Sequence, residues 1–65
     1  MAWKFDNFGN ARNDKTGEEL YAIICPDGLS RVYHDEKILA VFHHNAEALN
    51  FIKRKVEEWE RLKVD

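Results

Sequence analysis

The stretch LYAIICPDGLSRVYHDEKILAVFH, residues 20–43, decides the fold of this chain. Its two ends, residues 20–25 and 37–43, are rich in aliphatic, β-branched and aromatic residues, which favour strands. The order Pro26-Asp27-Gly28 is typical of a three-residue hairpin turn. This turn predicts three cross-strand pairs: Cys25 with Leu29, Ile23 with Arg31, and Tyr21 with Tyr33.

The second connection of this meander is the Asp35-Glu36 dipeptide. It contains neither glycine nor asparagine, so a four-residue loop from His34 to Lys37 is favoured over a tight primed turn. Either loop pairs Tyr33 with Ile38. Residues 20–43 are therefore expected to form three antiparallel strands.

Alternation along these strands sorts the side chains onto two faces. One face is small and aliphatic, and its expected members are Leu20, Ala22, Ile24, Ser30, Val32, Leu39 and Val41. The other face is larger and aromatic, and its expected members are Tyr21, Ile23, Cys25, Leu29, Arg31, Tyr33, Ile38, Ala40 and Phe42. An antiparallel sheet with one solvated side is normally polar on that side. Because both faces here are apolar and one helix covers only one of them, the other is expected to be covered by the N-terminal residues Trp3, Phe5 and Phe8, by a second copy of the chain or by a partner.

The N-terminal segment adds a possible further strand. Trp3, Phe5 and Phe8 predict a short strand or extended arm within residues 2–8, and the polar residues 9–19 predict a surface loop. Alternatively, residues 14–17 form a hairpin turn that pairs the first arm with residues 20–25. In that case the sheet has four strands.

After residue 43 the apolar period changes from two to about 3.6. Asn45 suits a helix N-cap, and Leu49, Ile52, Val56 and Trp59 form one apolar stripe. The sequence therefore predicts a helix over about 46–62, packed on one face of the sheet. The aliphatic face suits its stripe, but the reverse assignment, with the helix on the aromatic face, stays open. The expected fold class is α+β: one small domain, residues 1–65, with a three- to four-stranded antiparallel sheet and one C-terminal helix.

Composition limits the function classes. The chain has 65 residues, a formal net charge of -2 and one cysteine. This balance gives no general attraction to nucleic acid or to an anionic membrane. The first residues lack the apolar core of a signal peptide, and a single cysteine forms no internal disulfide, so a cytoplasmic location is expected.

No spacing in the sequence points to catalysis or to a metal. His34, His43, His44 and Cys25 match no zinc pattern. Cys25 belongs to a hydrophobic strand, where a small buried apolar role is expected. We therefore expect a non-enzymatic protein without a cofactor or a bound metal.

The aromatic face supplies the candidate binding residues, which are Tyr21, Ile23, Arg31, Tyr33, Ile38 and Phe42. A face of this composition favours a protein-interaction or regulatory module that binds through the second sheet face or a sheet edge. A homodimer, or a small inhibitor of a host or cellular enzyme, would use such a surface. The expected partner is a protein, a second copy of the chain, or both.

The competing hypothesis is a nucleic-acid-binding sheet. Aromatic side chains and an arginine on an open sheet can stack unpaired bases. The order of three strands and one helix also resembles that of the plant-type and integrase-type DNA-binding domains, which insert their sheet into the major groove. The resemblance covers element order only, and it would require several basic residues on the exposed face, where Arg31 stands alone.

Overall fold

The computed structural model describes residues 2–62, which form five strands and one helix. The elements are β1 (Trp3–Phe5), β2 (Ala11–Asn13), β3 (Glu19–Ile24), β4 (Ser30–His34), β5 (Lys37–Phe42) and α1 (Asn45–Leu62). All neighbouring strands are antiparallel, and their order in the sheet is β1-β2-β3-β4-β5. The α+β class with a C-terminal helix is confirmed. The expected strand number was too low, since there are five strands rather than three or four.

The additional strand, β2, lies inside the segment that the sequence predicts to be a loop. Its inward side chains, Ala11 and Asn13, are both buried. The Asn13 Oδ1 atom accepts hydrogen bonds from the backbone N–H groups of Lys15 and Thr16, at 2.9 and 3.1 Å, and so stabilises the turn into β3. The segment lacks an apolar alternation because a small residue and an asparagine, rather than large apolar residues, face the core.

The hairpin between β3 and β4 has the expected register. The Cys25 N–H donates to the Leu29 carbonyl at 2.8 Å, and the pairs Ile23–Arg31 and Tyr21–Tyr33 are present. These three sequence predictions are confirmed.

The second turn is tighter than expected. His34 pairs with Lys37, which leaves Asp35 and Glu36 as a two-residue turn. Asp35 adopts a φ of 57°, a left-handed conformation that aspartate tolerates better than most residues. Two hydrogen bonds with the backbone of Glu19 hold it there: the Glu19 N–H donates to Asp35 Oδ1, and the Asp35 N–H donates to the Glu19 carbonyl. The expected four-residue loop was therefore wrong.

A bulge in β5 changes which side chains share a face. Tyr33 pairs with Ile38 as expected, but Val32 pairs with Ala40, so Leu39 is an extra residue in β5. Ala40 and Phe42 consequently lie on the side of Val32, and Val41 lies on the opposite side. The expected placement of Ala40, Val41 and Phe42 was therefore wrong.

The core lies between α1 and one face of the sheet. Its buried members are Trp3, Ala11, Leu20, Val32, Ala48, Ile52 and Val56. The helix thus covers the face of Leu20 and Val32, which is one of the two assignments that the sequence leaves open. Its first intrahelical bond runs from the Ala48 N–H to the His44 carbonyl, so the N-cap is His44 rather than Asn45.

Three contacts fix the ends of the helix on the sheet. The Ser30 hydroxyl donates to Asn45 Oδ1 at 3.3 Å, and the Trp59 ring lies 5.4 Å from the Trp3 ring and 5.0 Å from the His34 ring. The helix therefore runs from the first residue of β4 towards the last residue of β4 and β1. Within residues 2–62, no helix is long and apolar enough to cross a membrane.

Candidate interaction surface

The sheet side opposite α1, here called the open face, is covered by no element of residues 2–62. Both residues of a cross-strand pair lie on the same side of the sheet, and the register places alternate pairs on the open face. Its members are Lys4, Arg12, Glu19, Tyr21, Ile23, Arg31, Tyr33, Ile38 and Val41. The surface left uncovered is thus apolar and aromatic on β3, β4 and β5, and charged on β1 and β2.

The centre of the open face is a stacked tyrosine pair. The rings of Tyr21 and Tyr33 are 5.6 Å apart and inclined by 18°. The Tyr21 hydroxyl donates to the Asp35 carbonyl at 2.7 Å, which holds its ring over the sheet. This contact presents a flat aromatic surface of fixed orientation.

Three aliphatic side chains surround the tyrosines and remain about half exposed. Ile23 is 45% exposed, Ile38 50% and Val41 48%. Together with the two rings they form an apolar patch in which Arg31 lies between Ile23 and Val41. Patches of this kind on small proteins commonly mark interaction sites.

Arg31 is bound within the chain. Its two terminal nitrogens donate to the two carboxylate oxygens of Asp27, at 3.2 and 2.7 Å. These bonds, with a further one from the Leu29 N–H, lower the pKa of Asp27 to about 2. The same pairing raises the pKa of Arg31. The charge of this guanidinium is thus already paired with a carboxylate, which weakens its attraction for a phosphate.

The positive charge of the open face lies on β1 and β2. Lys4 and Arg12 are neighbours across the two strands, and Glu19 follows beside Arg12 on β3. A shallow cleft of about 240 Å³ runs beside these residues. Asp6 also lines this cleft, so this side of the face combines two cations, Lys4 and Arg12, with two acids, Asp6 and Glu19.

The structure brings together five of the six predicted binding residues, namely Tyr21, Ile23, Arg31, Tyr33 and Ile38. The sixth, Phe42, packs under α1 against Phe51 at a ring distance of 5.4 Å, so its placement on this face was wrong. Val41 takes its place, and Lys4 and Arg12 were missed. The alternation Ala-Arg-Asn at residues 11–13 is the one signal that could have placed Arg12 outward.

A second cluster of polar side chains lies at the turn between β4 and β5. His34 Nε2 and Glu18 Oε2 are 2.7 Å apart, and one ligand atom each from Glu18, His34 and Asp35 lie within 4.8 Å of one another. One nitrogen and two carboxylates suit a transition-metal ion in chemical type. The sequence did not indicate this cluster, because its residues come from two different turns.

A third feature is a groove of about 540 Å³ between α1 and the edge of β5, here called the edge groove. Phe42 and Phe51 are its apolar members, and the Lys55 Nζ atom lies 5.7 Å from the Phe51 ring centre. Its other lining residues are Glu47, Asn50, Arg54 and Glu58.

Comparisons with protein families, with curated proteins and with solved structures found no match to this chain.

Proposed function

We propose that this chain is a non-enzymatic protein-interaction module that docks a partner protein on its open face. The observation that carries this proposal is the uncovered patch of Ile23, Ile38 and Val41 around the stacked tyrosines. Burying such side chains against a partner would remove apolar area from water, at about 25 cal/mol for each Å².

The charges beside the patch define the chemistry of the partner. Lys4 and Arg12 lie beside Asp6 and Glu19, so this side of the face carries charges of both signs, whereas Arg31 is paired with Asp27. A complementary partner surface is apolar at its centre and carries charges of both signs opposite these four residues. A regulatory protein that blocks an enzyme by covering an apolar surface would act in this way.

Nucleic-acid binding is the competing function, and the geometry opposes it. The arginine nearest the tyrosines is held by a carboxylate, and the two tyrosine rings stack on each other. The stacked pair uses one face of each ring, so a base could stack only on an outer ring face.

The test is affinity capture with a matched pair of variants. The sheet variant combines Ile23→Ser and Ile38→Ser, and the control variant is Lys53→Ser on the exposed side of α1. We expect wild type and control to retain the same protein from an extract of the source cells. The captured protein, once purified, should bind the sheet variant about 10- to 30-fold more weakly, since each half-exposed isoleucine contributes about 1 kcal/mol.

Two outcomes would contradict the proposal. One is equal retention of the captured protein by the sheet variant. The other is co-purification of nucleic acid with an affinity that falls steeply with salt, which would favour the competing function.

A further inference from the structure

β5 is the longer exposed edge of the sheet. It is the last strand in the order and has six residues, whereas β1, at the other edge, has three. Within residues 2–62 no strand pairs with the outer side of β5. Exposed edges of this kind present unpaired N–H and C=O groups that can pair with another strand.

The ladder pattern shows which groups of β5 point outward. Leu29 and Asp35, at the two ends of β4, bond to the β3 side of the hairpin: the Cys25 N–H donates to the Leu29 carbonyl, and the Asp35 N–H donates to the Glu19 carbonyl. Because the hydrogen-bonded positions alternate along an antiparallel strand, Arg31 and Tyr33 must also bond to β3. Ser30 and Val32 must then bond to β5, where their partners are Phe42 and Ala40. The N–H and C=O of Val41, between these two residues, therefore point away from the sheet.

We infer that two copies of this chain pair through their β5 strands, antiparallel about a two-fold axis at Val41. In this register, Val41 exchanges both hydrogen bonds with Val41 of the second copy. Ala40 lies opposite Phe42 of the second copy on the helix side, so a small side chain makes room for a large ring. The bulge at Leu39 limits the regular pairing to this central segment.

The edge groove supports a second copy as the occupant. Glu47 lies towards the N-terminal end of the groove, and Arg54 and Lys55 lie about two turns further along α1. A two-fold axis reverses the direction of the second helix, so the acidic end of one groove faces the basic end of the other. Glu58 lies beyond Lys55 and is bonded to it at 3.4 Å. This self-complementarity is what a symmetric interface requires.

Edge pairing would also enlarge the open face. With strands about 4.8 Å apart and residues about 3.3 Å long, the open face of one chain covers roughly 350–400 Å² in projection. Two chains joined at β5 form one continuous ten-stranded face of twice that projected area. This consequence rests on the proposed function, whereas the pairing itself does not.

The test is sedimentation equilibrium of the full chain from roughly 1 µM to 1 mM. Wild type should approach the dimer mass at the upper end. Val41→Pro removes the outward N–H without breaking a bond inside the sheet, since proline is tolerated on an edge strand, and should raise the dissociation constant at least tenfold. Should Val41→Pro fail to fold, by circular dichroism, Val41→Lys replaces it, because like charges would then meet at the axis.

The matched control is Ile23→Ser on β3, two strands away from the edge, which should keep the wild-type dissociation constant. A wild type that stays monomeric, or a dimer unaffected by the folded edge variant, would overturn edge pairing. A dimer lost in Ile23→Ser but kept in the edge variant would overturn it as well, by placing the self-interface on the open face. Failure of the proposed docking function is recognised separately: the wild type and the variant that combines Ile23→Ser and Ile38→Ser would then capture the partner equally well.

Discussion

Because of the bulge in β5, the neighbouring residues Val41 and Phe42 should contribute very differently to the stability of the fold. Phe42 is half-buried under α1 and lies 5.4 Å from the Phe51 ring, whereas Val41 is 48% exposed on the open face. Substitution by alanine should therefore lower the free energy of unfolding by different amounts at the two positions. Phe42→Ala should destabilise the fold strongly, and Val41→Ala should have little effect.

The magnitudes follow from the burial. A fully buried phenylalanine costs about 3–5 kcal/mol on truncation, and roughly half of that applies to Phe42, with about 0.5 kcal/mol more for the lost aromatic pair. Phe42→Ala should thus cost about 2 kcal/mol. The two methyl groups of Val41, half exposed, should cost less than about 1 kcal/mol. A domain of 65 residues has a stability of roughly 3–10 kcal/mol, so both variants should remain folded.

The assay is urea unfolding followed by tryptophan fluorescence, at a concentration low enough to keep the chain monomeric. Trp3 and Trp59 are in ring contact, so their emission reports directly on the packing of α1 against the sheet. With a slope of about 1 kcal/mol/M, the midpoint should fall by about 2 M for Phe42→Ala and by less than 1 M for Val41→Ala. An equal or larger shift for Val41→Ala would refute the bulge and the two faces derived from it.

Three further substitutions follow from local geometry. Gly9→Ala should lower the melting temperature more than Gly17→Ala. Both glycines have a positive φ, but only a Cβ at Gly9 would meet a neighbouring side chain, that of Leu49 at 3.1 Å. Equal decreases in melting temperature would contradict this expectation. Asn13→Ala should lower the free energy of unfolding in urea by about 1–2 kcal/mol. The two hydrogen bonds to Asn13 Oδ1 are lost, although the substitution also removes a buried amide nitrogen that has no partner. An unchanged free energy of unfolding would show that the turn does not need these two hydrogen bonds. The Asp27 carboxyl should titrate near pH 2 by NMR and nearer 4 in Arg31→Gln. Because its folded pKa is lowered, its contribution to stability should be present above about pH 4 and disappear as the pH falls towards 2; an unchanged midpoint in the variant would exclude the ion pair as the cause.

The parts of the fold that the sequence predicts are those with strong local signals. Pro26-Asp27-Gly28 sets the first hairpin by backbone preference alone, and the pairs Ile23–Arg31 and Tyr21–Tyr33 follow from it. The helix is equally local, since its apolar stripe has the helical period over the whole of α1. These signals predict the fold class and the meander, whereas they leave open which sheet face α1 covers.

The parts that the sequence does not predict depend on contacts distant in the chain. Asp35 takes its left-handed conformation because both the N–H and the carbonyl group of Glu19 form hydrogen bonds with it. The extra residue Leu39 has no turn residue or glycine to mark it, yet it moves Phe42 into the core and Val41 onto the open face. One bulged residue therefore accounts for the single wrong position among the candidate binding residues.

The most direct test of the central claim is the solvent exposure of the isoleucine methyl groups. In the dilute chain, a soluble gadolinium chelate should broaden the NMR methyl signals of Ile23 and Ile38 strongly and leave that of Ile52, which is fully buried, almost unchanged. This result would establish an uncovered apolar sheet face that is free to bind. Protection of Ile23 and Ile38 to the level of Ile52 would contradict the account, because the surface proposed for docking would already be covered.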